Sequence, residues 1–435
     1  MNPIKVRLGA LATHIPYSLV PGIGGVYNHY TRQIKEYEET GYKKEWIFRK
    51  TYRIVEYAIN NIPFYKDLYV KKGFTISDLC SFDDIQQIPI VSKKDLMEIP
   101  LEQRSTHHRM KYLANTGGST GKPLQFYKTR DHQVKEMAYF HHAWSKLGFS
   151  QSDLRMQFIG GGDASLIKYD LTRNRLTANI YCPFEEILRE ISELRKRLPI
   201  TYLQGYPSVL YEFALFLEGN PQLFELSGLK GKVKGIFFNS EYPYPEYRRK
   251  IEEVFEAKTI ASYGHTEGCV VAFDYGDQVY QVEQSYGLAE AVMMDGEMHL
   301  VGTAYDNFVS PFIRYDTGDI IDSIDSKDGL LTGFRMTDGG RSGQYVTDKS
   351  GKRISLTGLI FGKHHELFNH CSQIQLSQTE PGSATVYYVA DETGPDSIQA
   401  KQMFNAEGID IDLKFERIDK PFRTKVGKVL LLVNP

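Results

Sequence analysis

Between residues 150 and 265, short apolar runs alternate with longer stretches in which hydrophobic positions recur every three or four residues. "MQFIGGG", "TYLQGY", "VKGIFFNSE" and "AKTIASYGHTEG" each carry an apolar run of strand length into glycine or polar residues. Stretches such as "EEILREISELRKRL" and "YPEYRRKIEEVFE" fall between them with helical periodicity. This alternation predicts an α/β architecture, in which helices cover the apolar faces of a sheet. Ligands in such sheets bind where strands end in loops, so those loops are the places for chemistry. Upstream, residues 29–60 place Ile34, Tyr37, Trp46, Ile47, Ile54 and Ala58 at roughly helical spacing, and "NNIPFY" is expected to stop that run.

After about residue 275 the pattern shortens. "QVYQVEQSYG", "EAVMMDGEMHLVGTA" and "GDIIDSID" read as strands with turn signals, which predicts an antiparallel or barrel-like subdomain. Beyond residue 341, "QIQLSQTEPGSATVYYVAD" predicts a hairpin, "DSIQAKQMFNAEG" a helix and "DIDLKFERI" a strand, together a small α+β module. The expected division is a large N-terminal domain of mixed sheets, residues 1–339, and a small C-terminal domain, residues 340–435.

The bulk composition excludes several classes. With 41% hydrophobic and 24% charged residues the chain is globular rather than disordered. A formal net charge of -2 gives no global basic field for nucleic acid, and no basic patch interleaved with aromatics is present. Cys80, Cys182, Cys269 and Cys371 are far apart, so neither a zinc cage nor a disulfide framework is indicated, and a cytoplasmic location is expected. The adjacent pairs His107-His108, His141-His142 and His364-His365 diverge on a regular element and indicate no metal site. The N-terminal "VRLGALATHIPYSLVPGIGGVY" is interrupted by His14, Pro16 and Pro21, so no transmembrane span is read there. Packing on the protein's own surface is the expectation for it, with peripheral membrane contact as the alternative.

"YLANTGGSTGKPLQFYKT" is the first segment with chemistry. It is not a Walker loop, because Gly117 and Gly118 stand too close to Gly121-Lys122 and Pro123 occupies the hydroxyl position. Thr116, Ser119 and Thr120 nevertheless offer hydroxyl donors, the glycines let backbone N–H groups approach an anion, and Lys122 adds a charge. An ordinary polar turn between "KYLAN" and "PLQFYKT" is the competing reading.

Four later motifs, in order and spacing, decide between them. "NSEYPYPEYRRKIEEVFEAKTIASYGHTEG", "RYDTGD", "GGRSG" with "GKRI", and "TKVGKVLLLV" follow "TGGSTGKP" along the chain. The chain thereby resembles the adenylate-forming superfamily, in the branch of phenylacetate–CoA ligases and CapK-like capsule-biosynthesis relatives. "NNIPFYKDLY", "PIVSKKDL" and "QGYPSVLYEFA" extend the resemblance over nearly the whole chain.

The resemblance implies ATP and Mg²⁺ as cofactors, with coenzyme A where the acceptor is a thiol, and a C-terminal domain that acts as a mobile lid. It implies that Thr116, Gly117, Gly118, Ser119, Thr120, Gly121 and Lys122 hold the β- and γ-phosphates. Glu241, Tyr263, Gly264, His265 and Thr266 would line the adenine segment, with Tyr263 stacked on the base. Glu267 would hold Mg²⁺, a suitable task for a hard oxygen ligand. Asp319 would accept the ribose hydroxyls, in preference to Asp316, and Arg341 would contact ribose or phosphate. Lys428, preferred to Lys425 because it follows Gly427, would reach the α-phosphate where negative charge develops. Gly343 departs from the usual acidic or basic hinge residue, although glycine is itself permissive. The acyl pocket is bracketed by Phe158 to Gly162, Gly205 to Pro207, Phe238, Asn239 and His265.

The implied reaction joins a small-molecule carboxylate to AMP, releases pyrophosphate and passes the acyl group to coenzyme A. An amine or ammonia acceptor, on a sugar uronate or amino acid for a surface polysaccharide, is the alternative. A catalytically silent scaffold of a polysaccharide-assembly complex is the second alternative.

Overall fold

A computed structural model describes residues 15–116, 124–159, 165–170, 173–196, 198–337, 345–360, 365–407, 409–424, 427 and 429–434. The chain divides into two compact units, Asn2–Asp153 with Ile260–Met336 and Leu154–Thr259 with Thr337–Pro435.

The first unit opens with helices Gly24–Thr40, Lys44–Asn61 and Pro63–Lys72. The helical run read over residues 29–60 is two helices, broken where Gly41 turns the chain at φ 71°. "NNIPFY" ends the second helix, but Pro63 then opens a third after the single non-helical Ile62. Proline suits that first helical position because its missing N–H would have had no partner there. The described N-terminal residues pack within this unit. The Tyr17 ring lies 5.5 Å from both Tyr27 and His141, and its backbone N–H donates to Gln151.

Next comes a hairpin of β1 (Lys111–Asn115) and β2 (Gln125–Thr129), paired antiparallel, followed by helix Arg130–Ser145. In the second unit, β3 (Leu154–Ile159), β4 (Ile167–Asp170), β5 (Arg175–Asn179), β6 (Ile200–Gly205) and β7 (Gly235–Asn239) follow. They lie in the order β7-β6-β3-β5-β4, parallel except for the antiparallel β4. Helix Phe184–Arg195 connects β5 to β6, helices Pro207–Gly219 and Pro221–Ser227 connect β6 to β7, and helix Pro245–Phe255 follows β7. β3, β6 and β7 are buried almost throughout, as parallel strands covered by helices must be, and Tyr202 stacks on Phe237 between β6 and β7.

The first unit resumes with β8 (Thr259–Gly264), β9 (Val271–Asp274), β10 (Tyr280–Val282), β11 (Gly287–Met294), β12 (Glu297–Ala304), β13 (Tyr315–Lys327) and β14 (Leu330–Met336). Their order is β11-β12-β13-β14-β10-β9-β8, antiparallel at every pairing. Asp295 and Gly296, both at positive φ, close the β11–β12 hairpin, the arrangement that a two-residue Asp-Gly loop favours.

The second unit ends with β15 (Tyr345–Thr347), β16 (Arg353–Ser355), β17 (Gln373–Glu380), β18 (Ser383–Val389) and β19 (Asp412–Ile418). The predicted hairpin is β17–β18, the predicted helix is Ser397–Met403, and β19 lies parallel to β18. Residues 431–433 return along β17, where the N–H of Leu376 donates to Leu431 and that of Val433 donates to Leu376.

Candidate functional site

Two motifs that are far apart in sequence meet in the first unit. β8 delivers "YGHTEG" from its C-terminal end, and β13 begins within "RYDTGD". The Tyr263 hydroxyl donates to Asp319 Oδ2 at 2.6 Å, and the Tyr315 hydroxyl donates to Glu267 Oε1 at 3.1 Å. Asp319 and Glu267 are both buried, 8% and 7% exposed, so each carboxylate depends on such partners.

The turn after β8 fixes Glu267. The Gly268 N–H bonds the His265 carbonyl at 3.0 Å, and Gly268 sits at φ 72°, where a side chain would be strained. Gly287 leaves room for the chain just beyond, since a Cβ there would fall 2.0 Å from the Cys269 carbonyl oxygen. His265 Nδ1 lies 3.3 Å from the second oxygen, Glu267 Oε2. Burial alone would raise the Glu267 pKa. The His265 hydrogen bond and charge, together with the backbone and Tyr315 bonds, outweigh it and hold the carboxyl below its ordinary value. His265 Nε2 is buried with no hydrogen-bond partner among the described residues.

Lys128, at the end of β2, is a residue the sequence motifs did not single out. It is buried, and its ammonium donates to the Thr266 carbonyl at 2.9 Å, tying the hairpin to the Glu267 turn. The same hairpin is closed by Thr116, whose hydroxyl accepts the Leu124 N–H at 2.9 Å. The two strands that flank the predicted phosphate loop are thus paired, with Thr116 beside Leu124 at their ends.

Tyr263 is half-buried, with its ring edge-on to Phe334 at 5.3 Å and to Tyr280 at 6.0 Å. Gly264 and Thr266 are exposed beside it. Asp316 is engaged differently from Asp319, since its Oδ1 lies 3.1 Å from His299 Nδ1 and also accepts the Gly318 N–H. "PIVSKKDL" supports the motif from outside the sheet. Val91 bridges Tyr315 in parallel, accepts the Asp316 N–H at 2.9 Å and donates to the Arg314 carbonyl.

Glu241 lies in the second unit, after Ser240, which takes the left-handed conformation at φ 68°. Both of its oxygens accept backbone N–H groups, from Ser208 at 3.2 Å and from Val429 at 2.8 Å. It is thus a structural acceptor within that unit. Gly117, Gly118, Ser119, Thr120, Gly121, Lys122, Arg341, Gly343, Lys425 and Lys428 lie outside the described residues.

No family model matches the chain. It is 22% identical to Protein CapK of Staphylococcus aureus over 427 residues, covering 93% of this chain and 92% of that protein. Among solved structures it matches a 2-hydroxyisobutyryl-CoA ligase in the postadenylation state with R3-HIB-AMP. The TM-score is 0.62 at 16% identity, over 90% of this chain and 89% of the ligase. The chain has the adenylate-forming ligase fold. The GH3.15 acyl acid amido synthetase shares it, with a TM-score of 0.57 at 13% identity over 86% of each chain. In this fold class the α/β body and the small α+β module expected from the sequence are both present.

Among the described residues no group of three or more His, Cys, Asp and Glu side chains could hold a metal ion. A cation at Glu267 would therefore draw its other ligands from phosphate oxygens and water, the usual habit of Mg²⁺. No helix among the described residues is long and apolar enough to cross a membrane.

Proposed function

We propose that the protein is an ATP-dependent carboxylate ligase that forms an acyl-adenylate, releases pyrophosphate and transfers the acyl group to coenzyme A. The observation that carries this reading is the joining of "YGHTEG" to "RYDTGD" through the Tyr263–Asp319 and Glu267–Tyr315 bonds, within an adenylate-forming fold. Asp319, an acceptor already oriented by Tyr263, suits ribose hydroxyls. Glu267, buried and held ionised, suits a divalent cation. ATP with Mg²⁺, when bound, supplies an electrophilic α-phosphorus and a pyrophosphate leaving group.

The chain's own residues bind and orient rather than form covalent bonds. Lys122 and the hydroxyls of Thr116, Ser119 and Thr120 neutralise the terminal phosphates, and Arg341 holds the ribose side. Lys428 meets the negative charge that develops between the carboxylate and the α-phosphate. Lys128 and the Gly268 turn keep Glu267 in place. His265 Nε2 is the group we assign to the acyl end of the site.

Transfer to an amine or ammonia is the second reading. It is favoured by the shared fold of an acyl acid amido synthetase. The test is to present the enzyme, loaded with acid and ATP, with coenzyme A or with amines in parallel. Thioester formation alone supports the first reading, and amide formation alone replaces it.

A further inference from the structure

The described residues on both sides of residue 428 are held from several sides. Arg423 and Val429 bridge antiparallel, and between them the Gly427 N–H bonds the Thr424 carbonyl at 2.8 Å. Gly427 sits at φ 91°, a conformation that explains a glycine just before residue 428. Gln375 of β17, fully buried, ties both sides. Its amide donates to the carbonyls of Phe422 and Leu430 at 3.0 and 2.7 Å, and its oxygen accepts the Phe422 N–H.

Two acids of the α/β body in the same unit grip the segments on either side of residue 428. On one side, a single guanidinium nitrogen of Arg423 lies 2.6 and 2.7 Å from the two oxygens of Glu212, on helix Pro207–Gly219. Another Arg423 nitrogen donates to the Gly427 carbonyl at 2.9 Å. On the other side, Glu241 accepts the Val429 N–H at 2.8 Å. Arg423 and Glu212 have side chains only 13% and 18% exposed, so this is a desolvated pair with directed bonds rather than a loose surface contact. Tyr181 adds a bond to the Thr424 carbonyl at 3.3 Å.

We propose that Glu212 and Glu241, acting through Arg423 and the Val429 N–H, are positioning residues that hold the segments flanking Lys428 in sequence for the adenylation step. The proposal rests on the ligase reading above, in which Lys428 meets the charge on the α-phosphate. A side chain stabilising developing charge must be held to within about half an ångström, and pinning the backbone on both sides of it does this. In this reading the oxygens of Glu212 and Glu241 are engaged by the protein's own N–H groups and guanidinium. The two acids therefore act on the rate of adenylation rather than on nucleotide affinity.

The test compares wild type with Arg423→Gln, Arg423→Lys, Glu212→Gln and the double variant Glu212→Gln/Arg423→Gln. Three quantities are read: carboxylate-dependent pyrophosphate release, the KM for ATP, and hydrogen exchange over residues 422–434. The expected result is a fall of about 10- to 100-fold in kcat for Arg423→Gln, on the scale of losses from misplaced catalytic groups. KM for ATP should change less than threefold, amide exchange in the segment should be faster, and Arg423→Lys should recover part of the rate. The double variant should be no slower than the worse single variant, since the two residues act as a unit. An active wild type with unimpaired Arg423→Gln and faster exchange would overturn the positioning role while leaving the ligase reading intact. A wild type that releases no pyrophosphate with any acid would overturn both.

Discussion

The Tyr263 hydroxyl donates to Asp319 across 56 residues of sequence, at 2.6 Å, and joins the end of β8 to the first residues of β13. A phenol bonded to a carboxylate is a short, charge-assisted interaction, and it fixes the orientation of the Asp319 side chain.

Removing that acceptor should cost nucleotide binding. Asp319→Asn is expected to raise the KM for ATP by roughly 10- to 100-fold, because hydrogen bonds to charged groups are worth about 1.5–3 kcal/mol. Tyr263→Phe, which keeps the ring, should cost about 1 kcal/mol, roughly fivefold. Steady-state kinetics at saturating acid would measure both. Equal effects in the two variants would show that Asp319 acts only as a structural partner of Tyr263.

Glu267 is oriented by Tyr315 on one oxygen and His265 on the other. Outer partners of metal-binding carboxylates typically tune affinity by about 10–100-fold. Tyr315→Phe is therefore expected to raise the Mg²⁺ concentration for half-maximal pyrophosphate release by about tenfold, with little change in the KM for the acid. A Mg²⁺ titration of the variant decides it, and an unchanged midpoint would count against Glu267 as the cation's ligand.

Much of this arrangement was legible in the sequence, and the parts that were not share a cause. Short apolar runs ending in glycine or polar residues marked β3, β6, β7 and β8, because a buried strand must be apolar and the loop after it must turn. The Asp295-Gly296 hairpin was visible for the same local reason. "NNIPFY" marked the end of the second helix but not the start of the third, because a proline that follows one helix serves equally well at the first position of the next. Within "RYDTGD", the preference for Asp319 came from resemblance, while Tyr315 drew no notice because tyrosine is common in cores. Lys128 and Thr266 are separated by 138 residues, and Arg423 and Glu212 by 211, so no local pattern links them. Such pairs appear only once the chain has folded.

Glu283 gives a pH dependence of stability. Burial pushes its carboxyl pKa up to about 7, against bonding from Tyr42 and with Glu38 and Lys146 nearby. The folded state therefore binds a proton that the unfolded chain releases above its ordinary pKa of 4.5. That contribution to stability is fully present below the ordinary value and is lost as pH rises through about 7. Glu283→Gln should flatten the fall in Tm between pH 5 and pH 8. An identical slope in wild type and variant would place the titrating group elsewhere.

Gly427, at φ 91° in the turn before residue 428, offers a test of the segments flanking that residue, independent of charge. Gly427→Ala should strain that turn by about 1 kcal/mol or more and slow pyrophosphate release while leaving the KM for ATP within a few fold. A variant as fast as wild type would show that the turn geometry does not matter to catalysis.

The central claim is adenylation, and its most direct measurement is pyrophosphate release from ATP and Mg²⁺ across aryl acids, fatty acids, amino acids and uronates, with Lys428→Ala as control. The account predicts release with one class of acid and its loss, by roughly 100-fold or more, in the variant, as expected when a group meeting transition-state charge is removed. Absence of release with every acid, in a protein that also fails to bind ATP, would contradict it and leave the scaffold reading in its place.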